Sequence, residues 1–312
     1  MTHIDVITGF LGAGKTTFIQ RYAAALRNAG QKLLIIENEF GMAGIDGFFL
    51  KSQGMEVREL AGGCICCSQR HSFYEYLQQA AAEGYERIIV EPSGVYDLDT
   101  LFDIMIDPAL QNLCRLDNVI TIVKPDLPEQ LLPKLHGIAL SQLFSTGAIV
   151  LSNTQAHTPQ YVQNACRKLE QLARSYAPEF SLQEIPLFTQ PWDDFSPEQW
   201  LAFSRVGHLS FAHPGFAQNH AGLYDSLTLK AEFADRAALE AFLQRLFTPE
   251  CGNIQRVKGF ALTQDGSYYQ INCTPECRLI QPFRKVYNLL NVLGTTLHQQ
   301  AIETAHAENA AR

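Results

Sequence analysis

The stretch Gly9-Phe10-Leu11-Gly12-Ala13-Gly14-Lys15-Thr16-Thr17 follows a short apolar run, Ile4-Asp5-Val6-Ile7-Thr8, and opens a helical pattern. Its spacing satisfies G-x-x-x-x-G-K-[ST] in the strand-to-helix context that gives the motif meaning. Glycines there let successive backbone N–H groups curl around a β-phosphate, and the N-terminus of the following helix adds the positive end of its dipole. Lys15 is placed to bridge the β- and γ-phosphates and Thr16 to offer a hydroxyl to Mg²⁺. Gly9, Gly12, Ala13, Gly14, Lys15, Thr16 and Thr17 are therefore the candidate nucleotide-binding residues. The glycines run G-x-x-G-x-G, so the G-x-G-x-x-G fingerprint of a dinucleotide site is not met.

Working outward, β-rich apolar runs at 4–8, 32–37, 56–60, 87–91, 118–123 and 148–151 alternate with helical patterns, the signature of a mainly parallel sheet flanked by helices. The helix from Lys15 stops at Gly30 and that of 72–83 at Gly84, as glycine after a helix predicts. A helix over 159–176 starts on proline, and 184–187 reads as a last strand, closing a P-loop domain over 1–190. Residues 191–222 lose periodicity and collect prolines and histidines, which reads as a linker. A small α+β domain is expected over 223–300, with strands at 225–232, 253–261 and 267–273, a helix at 236–246 and another from Lys285. Residues 301–312 read as a polar, Ala-rich tail, frayed or helical.

The chain has 312 residues, 46% of them hydrophobic and 18% charged, which admits one large or two ordinary domains with sizeable cores. No run approaches the ~18 apolar residues of a membrane span. With 24 basic against 32 acidic residues, a net charge of −8 and no Lys/Arg block, an electrostatic grip on nucleic acid or anionic lipid is not expected. The opening Met1-Thr2-His3-Ile4-Asp5-Val6-Ile7 lacks the basic and apolar regions of a secretion signal, so a cytoplasmic location is expected.

Two further constellations carry chemistry. A triphosphate site needs an acid at the end of a neighbouring strand, and Ile88-Ile89-Val90-Glu91-Pro92-Ser93-Gly94 supplies one. Glu91 is placed to hold Mg²⁺ through water or to orient the attacking water, and the Gly94 N–H to sense the γ-phosphate. The second is Gly62-Gly63-Cys64-Ile65-Cys66-Cys67, three of the chain's eight cysteines within four positions. Thiolates this dense suit soft or borderline cations such as Zn²⁺, with Cys64 and Cys66 on one side of an extended segment and Cys67 on the other. Cys273 and Cys277 carry only a weak metal signal, and the histidines are dispersed.

On these residues the chain resembles the CobW-type metal-chaperone GTPases, a branch of the P-loop proteins that includes the signal-recognition and MinD-related enzymes. The resemblance rests on Gly9 to Thr17, on Glu37-Asn38-Glu39-Phe40-Gly41 followed by Asp46, on Gly63 to Cys67, on Glu91 to Gly94, and on Arg256-Val257-Lys258-Gly259 in the small domain. It implies binding and hydrolysis of GTP with Mg²⁺, and a nucleotide-gated site for Zn²⁺, Co²⁺ or another transition metal that is handed to a client metalloprotein. Cys64, Cys66 and Cys67, joined by Glu37, become the metal ligands. Residues 38–46 look like the first switch and 91–94 like the second, with Lys15, Glu91 and Asp46 the candidate catalytic residues. The alternative is a nucleotide-dependent activator of a metalloenzyme that does not itself carry the ion.

Two departures matter. The strand at 148–151 is followed by Ser152-Asn153-Thr154-Gln155, where a guanine-specific protein carries Asn-Lys-x-Asp. Asn153 stays a candidate nucleotide contact, but Gln155 offers one acceptor oxygen where a carboxylate accepts two N–H donors. Losing that charge-assisted pair is worth ~1.5–3 kcal/mol, so relaxed selectivity that admits ATP is expected. Met42 also stands where relatives frequently carry an acid.

Overall fold

The computed structural model describes residues 1–38, 50–51, 54–60, 70–92, 98–105, 108–127, 136–178, 180–209, 225–275, 278–283 and 288–310. These form two compact units, the first ending within the described residues at 209 and the second starting at 225.

The first unit is a seven-stranded sheet. Its strands are β1 (Thr2–Thr8), β2 (Leu33–Asn38), β3 (Val57–Leu60), β4 (Arg87–Glu91), β5 (Cys114–Val123), β6 (Ala148–Leu151) and β7 (Leu187–Phe188), in the order β3-β2-β4-β1-β5-β6-β7. Every pairing is parallel. A parallel sheet is apolar on both faces because its crossover helices cover both, and β1 shows how. Ile4 and Val6 enter one cluster with Phe73, Leu77 and Ala80 of helix α2 (Arg70–Ala82). Ile7 enters another with Phe18, Ile19 and Tyr22 of helix α1 (Lys15–Asn28). Helices α3 (Leu98–Met105), α4 (Pro108–Gln111), α5 (His136–Phe144) and α6 (Pro159–Tyr176) complete the layers. The chain leaves β1 towards β2 on one side and later returns to β5 on the other, so the strand order reverses at β1. Ligands of open α/β sheets bind beyond the carboxyl ends of strands at such a point.

Midway along β1, Asp5 is fully buried. It accepts hydrogen bonds from Arg87 Nη1, Tyr22 OH and Asn118 Nδ2, each at 2.6 Å. Asn118 Oδ1 in turn accepts from Gly207 N at 2.9 Å.

Residues 191–209, expected as linker, are folded into this unit. A 3₁₀ turn at Trp192–Asp194, helix α7 (Pro197–Ala202) and a second turn at Phe203–Arg205 lie on α1. Phe203 is fully buried, its ring centre 5.0 Å from Phe18, and that of Trp200 stands 5.2 Å from Phe18. The prolines that suggested a linker serve as helix starts: Pro197 opens α7 behind a Ser196/Gln199 capping box. Elements this short leave no periodicity for the eye to find.

The second unit contains β8 (Asp225–Lys230), β9 (Glu232–Phe233), α8 (Arg236–Leu246), β10 (Gly252–Thr263), β11 (Tyr268–Cys273), β12 (Arg278–Phe283), β13 (Leu289–Leu297) and α9 (Gln299–Asn309). The sheet order is β12-β11-β10-β13-β8, antiparallel throughout, with β9 beside β10 in parallel. The helix expected from Lys285 is replaced by β13. Its run Leu289-Leu290-Asn291-Val292-Leu293 lies between β10 and β8, and a centrally paired apolar run cannot be told from a buried helix by periodicity. The expected tail is likewise largely helix α9, anchored by buried Ile302 and Ala305. The unexpected β12 carries Pro282 on the sheet edge, where a missing N–H removes no ladder bond.

Two outcomes follow. Phe203→Ala removes a large buried ring shared by α1 and α7, so urea unfolding should show a loss of about 3–5 kcal/mol. In the second unit the ring of His306 packs against Phe233 and Phe242, with centroids 5.5 Å away in each case, and burial holds its pKa below the usual value despite the Lys230 carbonyl and Glu232. The unfolded chain takes up this proton below pH ~6.5 and the folded chain resists it, so stability should fall as pH drops through ~6.5. The acid slope, read by denaturation at several pH values, should shrink in His306→Phe.

Candidate functional site

The phosphate loop turns at the end of β1 on three glycines with positive φ: Gly9 at 140°, Gly12 at 72° and Gly14 at 98°. At Gly9 a Cβ would stand 2.2 Å from the Ile122 carbonyl oxygen of β5, so only glycine lets the loop pass this strand. Ala13 N donates to Phe10 O at 3.1 Å and closes the turn. Gly14 is the left-handed N-cap of α1, and the first turn of that helix holds no acid to oppose the positive end of its dipole. The Lys15 side chain is buried, and its Nζ donates to Gly9 O at 3.0 Å, folded over the loop that precedes it. Thr16 Oγ1 donates to Glu91 Oε1 at 3.2 Å, which joins loop and second strand as a magnesium–triphosphate site requires, while Thr17 is exposed. This cradle fits phosphates and a hard cation in donor geometry and charge.

Beside it lies a row of carboxylates. Glu37 at the end of β2 is in register with Glu91 on β4 and with Glu59 on β3. Ile35 and Ile89, two residues earlier on their strands, belong to the cluster under α1, so Glu37 and Glu91 face the same side. Glu59 pairs with Lys51 at 2.7 Å. Glu37 is only 3% exposed, and neither carboxylate oxygen has a hydrogen-bond partner among the described residues. A buried unpaired carboxylate is costly, and a cation is the partner that relieves it.

The chain leaves β3 at this same end and runs into the cysteine motif. Cys64, Cys66 and Cys67, as well as Asp46, Gly94 and Met42, lie outside the described residues. Among the described residues no three of His, Cys, Asp and Glu converge to hold a metal ion. Burial pushes the Cys114 thiol up to about 11 and raises those of Cys166 and Cys251, so none of the three presents a thiolate at neutral pH.

The loop after β6 completes the sheet end. Asn153 adopts φ 54° and caps a 3₁₀ turn, with its Oδ1 accepting from Gln155 Nε2 at 3.4 Å on the exposed side. Ser152 and Thr154 are buried. Trp192, within the stretch expected as linker, donates its Nε1–H to Leu151 O at 2.9 Å and lies against Gly14. Its position just past the last parallel strand, at the carboxyl edge of the sheet, is the signal that would have marked it.

Residues 3–180 match the family model described as CobW/HypB/UreG, nucleotide-binding domain. The chain belongs to the CobW/HypB/UreG family. Within it, the chain is 38% identical over 133 residues to the zinc chaperone CobW of Pseudomonas aeruginosa, covering 38% of this chain and 34% of that protein. It is 30% identical over 164 residues to the zinc chaperone YeiR of Escherichia coli, covering 52% and 50%. The chain thus spans a third to a half of these curated relatives. A solved structure of Zn(II)-bound YjiA GTPase from E. coli superposes over 99% of both chains at 18% identity with a TM-score of 0.45. Among the described residues no helix is long and apolar enough to cross a membrane.

For a CobW/HypB/UreG nucleotide loop, Gly9→Ala is a direct check. The side chain meets β5 backbone at an angle that L residues avoid, so stability should drop by at least about 1–3 kcal/mol in urea titrations. Triphosphate binding measured by calorimetry should fall with it.

Proposed function

We propose that this chain is a GTP hydrolase whose nucleotide state gates the uptake and release of a transition metal, zinc foremost, for delivery to a client metalloprotein in the cytoplasm. The observation that carries the reading is the register of Glu37 with Glu91. Glu37, whose carboxylate has no partner among the described residues, stands one strand from the acid that holds the phosphate loop's Thr16. Neighbouring strands lie ~5 Å apart, and two carboxylates at that spacing interact by about 3 kcal/mol at an effective dielectric of ~20. A change of charge at one acid is therefore felt at the other.

In the nucleotide site, Lys15 and the N–H groups of 12–16 take up the negative charge that grows on the transferred phosphoryl group. Thr16 and Glu91 hold Mg²⁺, which when bound neutralises charge across the β- and γ-phosphate oxygens. Glu91 or Asp46 orients the attacking water, and the Gly94 N–H reports on the γ-phosphate. The metal cargo is taken by Cys64, Cys66 and Cys67 with Glu37. The second unit offers the client its docking surface. Support comes from relatives named as zinc chaperones and as a zinc-regulated GTPase metalloprotein activator.

The test is a chelator-competition titration of Zn²⁺ and Co²⁺ on reduced protein loaded with Mg²⁺ and either GDP or a non-hydrolysable GTP analogue. A metal affinity that differs at least about tenfold between the two states, and loses that difference in Cys66→Ser, is the expected result. Equal affinity in both states would move the reading to an activator that does not carry the ion. Lys15→Ala should abolish phosphate release from GTP, measured in the same preparations.

A further inference from the structure

Trp192 has a place that phosphate chemistry does not use. Its Cη2 lies 3.2 Å from where a Cβ on Gly14 would stand, and Ser152 Cβ is 3.7 Å from the same point. The indole N–H is fixed on the carbonyl that ends β6, and Phe18 meets the ring edge-on at 5.6 Å. One part of the ring is thus clamped and the rest remains accessible, since Trp192 is only partly buried. The indole closes the seam between the phosphate loop and the loop after β6.

A nucleotide whose phosphates sit after β1 extends its sugar and base over the carboxyl ends of neighbouring strands. In this sheet those on one side are β5, β6 and β7. The loops leaving β6 and β7 carry Ser152 to Gln155 and Trp192. Two hydroxyls there lack a partner among the described residues: Ser152 Oγ and Thr154 Oγ1 have no hydrogen bond to them although the residues are 5% and 6% exposed. Buried hydroxyls in this condition call for a ligand or a water. No carboxylate lies within Ser152-Asn153-Thr154-Gln155, and Asp193 beside Trp192 is exposed and paired with Arg21 at 2.6 Å. Asp194 is exposed as well.

We infer that Trp192 is the stacking wall of a nucleobase subsite completed by Ser152, Asn153, Thr154 and Gln155, and that the loop after β6 reads the purine there with neutral groups. The inference deepens the triphosphate-site reading and rests on it. Stacking on an aromatic face accepts any purine, while guanine selection of the usual strength needs the charge-assisted pair that Gln155 cannot make. Guanine and adenine nucleotides should then bind within about tenfold of one another.

Calorimetry on the full chain with Mg²⁺ tests this with GTP, ATP and inorganic tripolyphosphate as probes. Trp192→Leu should weaken GTP and ATP alike by roughly tenfold and leave tripolyphosphate within about twofold, while Trp192→Phe retains most of the affinity. Gln155→Asp should raise the GTP-to-ATP affinity ratio by about tenfold or more. A wild-type preference for GTP above about a hundredfold overturns the inference. So does a Trp192→Leu protein that weakens all three probes equally, the mark of a structural role. Should that variant not fold, wild-type selectivity and Gln155→Asp decide. Wild-type protein that binds none of the three would instead sink the triphosphate reading beneath it.

Discussion

A carboxylate with no access to water holds the first unit in register. Asp5 cannot be left unpaired in the middle of a parallel sheet, and its three partners come from three separate elements: Arg87 on β4, Asn118 on β5 and Tyr22 on α1. A buried ion pair adds little net stability against an apolar replacement of the same shape, but removing one partner alone is severe. Its effect is therefore selective. β1 has one place where Asp5 is satisfied, between β4 and β5, with α1 laid so that the Tyr22 hydroxyl reaches it. Burial and the adjacent carboxylate hold the Tyr22 phenol well above its usual pKa, so it stays a donor throughout the pH range of a folded protein. Through Asn118 the same hub reaches Gly207 and pins the strap that carries Trp192 and Phe203 back onto the sheet.

With the middle of β1 fixed in this way, its carboxyl end is free to carry chemistry. Gly9 passes β5 where no side chain fits, and the loop that follows places Lys15 and Thr16 beside Glu91. The acids Glu91, Glu37 and Glu59 lie side by side because the parallel ladders put them in register, so the sheet spaces Glu37 from Glu91 by one strand. On the far side of the loop, Trp192 and the residues after β6 bound the same end. On the proposed function, phosphate, metal and base recognition share one end of the sheet, each on a different loop of a common frame.

Much of this frame was legible in the residues. The glycines of 9–14 and the terminators at Gly30 and Gly84 announce the first βα units, and the β strands of the first unit fall close to the apolar runs because a parallel strand is buried on both faces. Glu37 and Glu91 were identifiable as candidates, but their register was not, since pairing between β2 and β4 is set by the whole sheet. The strap at 192–205 departs from the linker expectation because Pro197 begins a helix rather than breaking one. β13 was misread because an apolar run at the centre of a sheet has no alternation to distinguish it from a helix. Trp192 belongs to no motif; its position past the last parallel strand and its contacts with Gly14 and Leu151 are what mark it.

The placement of β1 also shapes how the chain is made. Its two sheet neighbours are strands that begin at Arg87 and at Cys114, with nothing nearer in sequence to pair with. Such long-range parallel pairing is slow to form, because loop closure must precede any gain in contacts. During synthesis, then, β1 waits with both edges open until Arg87 has followed, and with one edge open until Cys114 has followed. The apolar Ile4, Val6 and Ile7 are exposed in that interval, which makes the nascent first unit a natural substrate for the cell's holding chaperones before it is a folded protein.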